Sequence, residues 1–185
     1  MTKVKVLIKG YVKEDGSKVV PTTALIQDDK INIIVDPGMG INKREIFKKA
    51  LKKVGLDFNK IDIVFCTHYH LDHTQYVGLF PKAKMVDYKF IYKGNSLLNH
   101  KGTGYKLSPN VSVIHTPGHT IEHASLMVKI NKEIVVVAGD LWWDSNFAPK
   151  IDRMAWNQKI LEKSRKKILK IADYVIPGHG KMFRV

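Results

Sequence analysis

Short apolar runs rich in Val and Ile recur along the chain, and several end at glycine, proline or aspartate. Val4 to Lys9, Val19 to Gln27 and Ile31 to Val35 read as strands, the last two joined at Asp28-Asp29-Lys30. Asp36-Pro37-Gly38 then breaks the chain. Ile46, Phe47, Ala50, Leu51 and Val54 share one face at helical spacing, with Lys48, Lys49, Lys52 and Lys53 opposite. Asn42 is the expected N-cap, with Glu45 in capping-box position, and Gly55 is the expected stop. Ile61 to Cys66 predicts a buried strand. Ala83 to Val86 and Val111 to His115 predict two more, and Ala124 to Ile130 with Ile134 to Ala138 a hairpin turning at Asn131-Lys132-Glu133. A long basic helix is expected over Arg153 to Ile171, with Trp156, Ile160, Leu161, Ile168 and Leu169 as its apolar contacts, and a last strand over Tyr174 to Ile176. Strands first, one helix between them and one near the end argue for sheets packed face to face under helices.

No linker, repeat or low-complexity tract interrupts this pattern, so residues 1–185 are expected to form a single domain. The lone cysteine, Cys66, excludes an internal disulfide and suits a reducing compartment. Met1 to Gly10 is too short and too charged for a signal-peptide core, and no apolar run reaches the roughly 20 residues that span a bilayer. A cytoplasmic protein without a membrane partner is the expectation. The formal net charge of +14 attracts polyanions and makes nucleic acid a candidate partner, although the lysines are spread along the whole chain and a solubilising surface explains them as well.

Chemistry enters at Thr67-His68-Tyr69-His70-Leu71-Asp72-His73-Thr74, directly after an apolar strand. Imidazole and carboxylate are the ligands that zinc, iron and manganese accept. In an extended loop His68 and His70 point the same way, while Asp72 and His73 begin the next turn and face a second point. With 8 histidines in 185 residues, H-x-H-x-D-H arises by chance on the order of once in a thousand such chains. Three further strands end the same way, in Thr116-Pro117-Gly118-His119-Thr120, Gly139-Asp140 and Pro177-Gly178-His179-Gly180. Each places a turn-permitting glycine beside a ligand-type side chain.

The series T-H-x-H-x-D-H-T, T-P-G-H-T, G-D and P-G-H-G resembles that of the metallo-β-lactamase superfamily, from Asp36 to Gly180. Val77-Gly78-Leu79-Phe80-Pro81, Ser164-Arg165-Lys166-Lys167 and Phe183-Arg184-Val185 extend the likeness to its small hydrolases. The resemblance implies an α/β (α+β) chain folded as an αββα four-layer sandwich. It also implies two divalent metal ions, zinc first with iron or manganese as alternatives. His68, His70 and His119 would hold one ion, Asp72, His73 and His179 the other, and Asp140 would bridge them. Asp72 and Asp140 are thereby the carboxylates at the reaction centre, and Asp36 is implied as the residue that orients a ligand. A water bridging two such ions ionises near pH 7, against about 15.7 in bulk, and the resulting hydroxide is the nucleophile of a metal-dependent hydrolase.

Two substrate classes follow. A phosphodiester, RNA above all, is favoured by the charge and by nuclease activity among similar proteins; a thioester or related small ester, as in glyoxalase II, is the alternative. Antibiotic-hydrolysing lactamases are disfavoured by His73 and Asp140, and the helical glutathione domain of glyoxalase II has no counterpart after His179. A mononuclear iron persulfide dioxygenase would leave Asp72, His73 and His179 without an ion. A non-catalytic nucleic-acid-binding module would need metal only for stability. Tyr69 and His123 read as structural, His100 and His115 as core or surface residues, and Cys66 as an inert thiol. Leu141 to Phe147, with Trp142 and Trp143, reads equally as pocket wall or as hydrophobic anchor.

Overall fold

A computed structural model describes residues 1–13, 15–144 and 148–185. Two sheets form its centre. The first has seven strands: β1 (Lys3–Ile8), β4 (Thr23–Asp28), β5 (Ile31–Val35), β6 (Ile63–Phe65), β7 (Lys84–Val86), β8 (Phe90–Lys93) and β9 (Ser96–Asn99), in that spatial order. The second has six, also in chain order: β10 (Lys106–Ser108), β11 (Val111–His115), β12 (Ala124–Ile130), β13 (Glu133–Gly139), β14 (Tyr174–Pro177) and β15 (Phe183–Arg184). Two strands of two residues each, β2 (Tyr11–Val12) and β3 (Val19–Val20), pair antiparallel. Strands β5, β6 and β7 run parallel, as do β13 and β14; the other pairs are antiparallel.

The central strands are buried on both faces, and each face packs on a different layer. Ala24, Ile26, Val35, Ile63 and Phe65 from the first sheet interdigitate with Val111, Val113, Leu126, Val128 and Val137 from the second. The opposite face of the first sheet, through Leu25, Ile34, Val64 and Cys66, takes Phe47 and Leu51 of α1 (Lys43–Lys52). The opposite face of the second, through Ile114, Val136 and Val175, takes Leu161 and Ile168 of α3 (Gln158–Leu169). This is the αββα sandwich. Truncating a filler such as the fully buried Phe65 would cost about 3–5 kcal/mol.

Several local expectations need correction. Val19 to Gln27 is two strands, because Pro21 interrupts the ladder. Asn42 does not cap α1 with its side chain; it adopts the left-handed conformation, φ 57°. Gly55 does stop the helix: at φ 73° it lets its own N–H reach Lys52 and that of Leu56 reach Leu51. The basic helix begins at Gln158, five residues later than expected, capped by Asn157, whose side chain accepts from Ile160. Trp156 and Leu169 are exposed, and the buried stripe is Leu161, Ser164 and Ile168. The hairpin of β8 and β9 gave no alternating signal, since β9 is exposed along its length. A four-residue helix, α2 (Leu71–Thr74), turns inside the histidine motif.

Candidate metal centre

Parallel pairing decides where the chemistry lies. Val35, Phe65 and Val86 stand side by side at the ends of β5, β6 and β7, so Asp36, Thr67-His68 and Asp87 leave the first sheet on one edge. In the second sheet Gly139 pairs with Pro177, which sets Asp140 against Gly178 and His179. A Cβ on Gly178 would overlap Asp140 Oδ1, so that carboxylate can occupy its place only beside a glycine. The loop after β11 carries His119 to the same edge.

Three groups of ligand atoms result, each with its atoms within 4.8 Å of one another: His68 with His70 and His119, His68 with His73 and Asp140, and Asp72 with His73 and His179. His70 Nδ1 lies 3.1 Å from His68 Nε2 and 3.0 Å from His119 Nε2. Asp140 Oδ1 is 3.2 Å from His73 Nε2, and Oδ2 is 3.4 Å from His119 Nε2 and 3.3 Å from His179 Nε2. Asp72 Oδ2 stands 3.5 Å from His73 Nε2 and 3.7 Å from His179 Nε2. A four-coordinate zinc with nitrogens at 2.0–2.1 Å separates its ligands by about 3.3 Å, so these spacings fit shared ions.

Outer hydrogen bonds decide which atoms face inward. Asp36 accepts from Thr67 N (2.8 Å), Thr67 Oγ1 (2.7 Å) and His73 Nδ1 (2.9 Å). Having donated its proton to Asp36, the Thr67 hydroxyl accepts from His68 Nδ1 at 3.0 Å. His179 Nδ1 donates to the Val20 carbonyl (3.0 Å) and His119 Nδ1 to Asp152 Oδ2 (3.1 Å). In their neutral form, His68, His73, His119 and His179 therefore all turn a bare Nε2 lone pair toward the centre. Lone pairs and carboxylates facing one another attract positive charge. Burial opposes a proton on His73, but Asp140 and Asp36 outweigh it and raise the ring's pKa. Burial likewise opposes charge on Asp140, yet His179 and His73 keep its carboxyl well below the usual range.

Beside these atoms opens a cavity of about 700 Å³ whose wall includes Val12, Val19, Met39, Leu71, Ile151 and Met154, with Arg153 and Asp15 also in the lining. Trp142 and Trp143 divide the two roles expected of their loop. Trp142 packs on Leu161 and edge-on to Phe183, whereas Trp143 lines the cavity; Ser145, Asn146 and Phe147 lie outside the described residues.

The remaining histidines and Tyr69 are held by structure. His123 is fully buried, bonded to Thr116 and packed near His68. His100 stacks on Tyr105 and His115 on Tyr88. The Tyr69 hydroxyl donates to Asp87, and burial pushes the phenol's pKa up. Burial, with Asp36 and Asp87, also raises the thiol of the enclosed Cys66. Asp152 was not foreseen: no ligand motif surrounds it, and only the fold brings it to His119.

Residues 18–88 match the family model of the metallo-beta-lactamase superfamily. Over 191 residues the chain is 32% identical to metallo-beta-lactamase domain-containing protein 1 of Xenopus laevis, covering 98% of this chain and 81% of that one. The chain belongs to the metallo-beta-lactamase superfamily. It is also 33% identical to a Caenorhabditis elegans protein, of which it spans about half the length (48%, against 89% of this chain). Among solved structures, a metallo-beta-lactamase homologue from Thermotoga maritima superposes with a TM-score of 0.77 at 20% identity, covering 100% and 99% of the two chains. An N-acyl homoserine lactone hydrolase, solved with its product at the catalytic metal centre, gives 0.69 at 18% identity, covering 97% and 92%. Family and His/Asp cluster together mark this superfamily member as a metal-dependent hydrolase. Among the described residues no helix is long and apolar enough to cross a membrane.

Proposed function

We propose that the chain, as one domain over residues 1–185, hydrolyses small carboxylic esters or thioesters with an apolar acyl group, using two divalent ions, zinc foremost. His68, His70 and His119 would hold one ion and Asp72, His73 and His179 the other, with Asp140 available to both. One observation carries the two-ion reading: four carboxylates, Asp36, Asp72, Asp140 and Asp152, surround five imidazoles, four of which make outer bonds that leave their Nε2 lone pairs inward, while His70 turns Nδ1 to His68 and His119. Four negative charges balance two divalent cations, whereas burying them without cations would cost several kcal/mol per ion. The persulfide dioxygenase alternative uses one ion and leaves the grouping of Asp72, His73 and His179 without purpose. A stability-only module needs four ligands, and seven converge here.

When bound, such ions ionise a water near neutral pH and polarise the acyl carbonyl. The protein's own residues do the rest. Asp36 and Thr67 fix His73 and His68 in the tautomers that bind. Asp72, half-buried and in the cavity wall, is placed to take the proton of the attacking water and return it to the leaving group. The aliphatic wall binds the acyl chain and excludes water.

That wall favours an ester over the phosphodiester first expected from charge, because aliphatic side chains offer nothing to phosphate or ribose. The phosphodiester and RNA reading keeps one support: Lys13, Lys18, Lys150, Arg153 and Lys181 are exposed on segments bordering the cavity. The lactone hydrolase that shares the fold is an independent instance of acyl-ester chemistry on this scaffold. A side-by-side assay of p-nitrophenyl esters, a model thioester, bis(p-nitrophenyl) phosphate and RNA, each with zinc, manganese and iron forms, tests the choice. Ester turnover with two ions per chain is expected; turnover of RNA alone overturns the substrate, and one iron with oxygen consumption overturns the mechanism.

A further inference from the structure

We infer that Asp152 is a positioning residue that ties the acyl-binding wall to the metal ligand His119. The inference rests on the preceding reading that His119 holds an ion. Asp152 lies in Ile151-Asp152-Arg153-Met154, three of whose side chains face the cavity. Asp152 alone turns inward and is buried.

Both of its oxygens are committed. Oδ2 receives the Nδ1–H of His119 at 3.1 Å, and Oδ1 receives the backbone N–H of Met154 at 2.9 Å. Its own N–H donates to Gln158 Oε1 (2.9 Å), and its carbonyl accepts from Ala155 (3.1 Å). The next residues return to the same loop: Trp156 N–H bonds the His119 carbonyl (2.8 Å) and Asn157 N–H the Gly118 carbonyl (2.9 Å). One carboxylate thus fixes a ligand's tautomer at one end and a wall residue's backbone at the other. A ligand held by two partners, an ion at Nε2 and Asp152 at Nδ1, loses its rotational freedom, and the wall bonded to the same carboxylate is ordered with it. Loading of the ion and shaping of the acyl wall are therefore coupled. The carboxylate also explains why α3 starts late: residues 152–157 are spent on this clamp.

The test uses the full chain with zinc. Asp152→Asn keeps size but has one acceptor oxygen for two donors, and its amide would drive His119 toward the tautomer with Nε2 protonated. Titration against a chelator should show one of two zinc ions weakened roughly 10–100-fold and the other unchanged. Zinc should slow hydrogen exchange of Met154, Trp156 and Asn157 amides in the wild type but not in the variant. The preference for a decanoyl over an acetyl ester should fall on the order of tenfold, through KM. A variant with both zinc affinities and its zinc-dependent protection intact overturns the inference, even if less stable. Should the variant not fold, histidine nitrogen NMR of the zinc-loaded wild type decides: His119 is expected to carry its proton on Nδ1, and zinc on Nδ1 overturns the proposal. A wild type that binds fewer than two ions fails the metal reading itself, a separate outcome.

Discussion

Asp36 and His73 meet through a 2.9 Å hydrogen bond that spans 37 residues of chain. Asp36 holds this place in the left-handed conformation, φ 51°, a costly backbone for a residue with a Cβ. The strain is tolerated because one carboxylate there reaches both Thr67 and His73, and through Thr67 also His68.

Asp36→Asn should therefore damage the metal centre more than the fold. Its amide nitrogen cannot accept from Thr67 Oγ1 or His73 Nδ1. Metal affinity is expected to fall about 10–100-fold, with ester turnover falling alongside. Zinc content after dialysis, measured with circular dichroism, checks this; full zinc occupancy in a folded variant would refute it.

Chelation should destabilise the chain. An ion at a thousandfold excess over its Kd adds about 4 kcal/mol to a native state that alone binds it. At roughly 2–4 °C per kcal/mol for a chain of this size, removing it lowers Tm on the order of 10 °C. Differential scanning calorimetry with and without chelator reads the shift, and an unchanged Tm would mean that no ion is held in the folded state.

Acid should weaken the edge where Asp28 ties the N-terminus to the second sheet. Burial pushes the Asp28 carboxyl up, but hydrogen bonds from Ser108, Asn110 and Thr2 outweigh it and hold it at about 2, below its ordinary 3.8. The native pKa is depressed, so the stabilisation is present above about pH 3.8 and is lost as pH falls toward 2. Asp28→Asn should cost about 1–3 kcal/mol at pH 6 and almost nothing near pH 2, by denaturant unfolding at the two pH values.

Lys43 is a buried residue whose ammonium has no hydrogen-bond partner among the described residues and stands 5.6 Å from the centre of the Phe47 ring. Burial lowers its pKa to about 8. The native state then binds fewer protons than the unfolded one between about pH 8 and 10.5, so the wild type gains stability as pH rises through that window. Lys43→Met removes the unpaired charge and should stabilise at pH 7 by about 1–2 kcal/mol, an advantage that shrinks toward pH 10. A destabilised methionine variant at pH 7 would show that the ammonium has a partner in solution.

Strand positions such as Ile31–Val35, Val111–His115 and Ala124–Ile130 were legible in the sequence because β-branched runs and their breakers are local properties. So were the seven histidines and aspartates of the metal motifs, since a ligand after a strand and a glycine is a pattern of neighbours in the chain. The sheet partners were not legible. Pairing of β5 with β6 and of β13 with β14 joins residues tens of positions apart, and only that register brings Asp36 to His73 and Asp140 to His179. Asp152 and the aliphatic wall belong to the same class: an aspartate in a turn and scattered Val, Met and Ile carry no periodic signal. The sequence alone specified the ligand-type side chains and the strands that precede them. Tertiary structure decided the tautomers, the outer carboxylates and the shape of the cavity, because each depends on distances between segments that no local preference encodes.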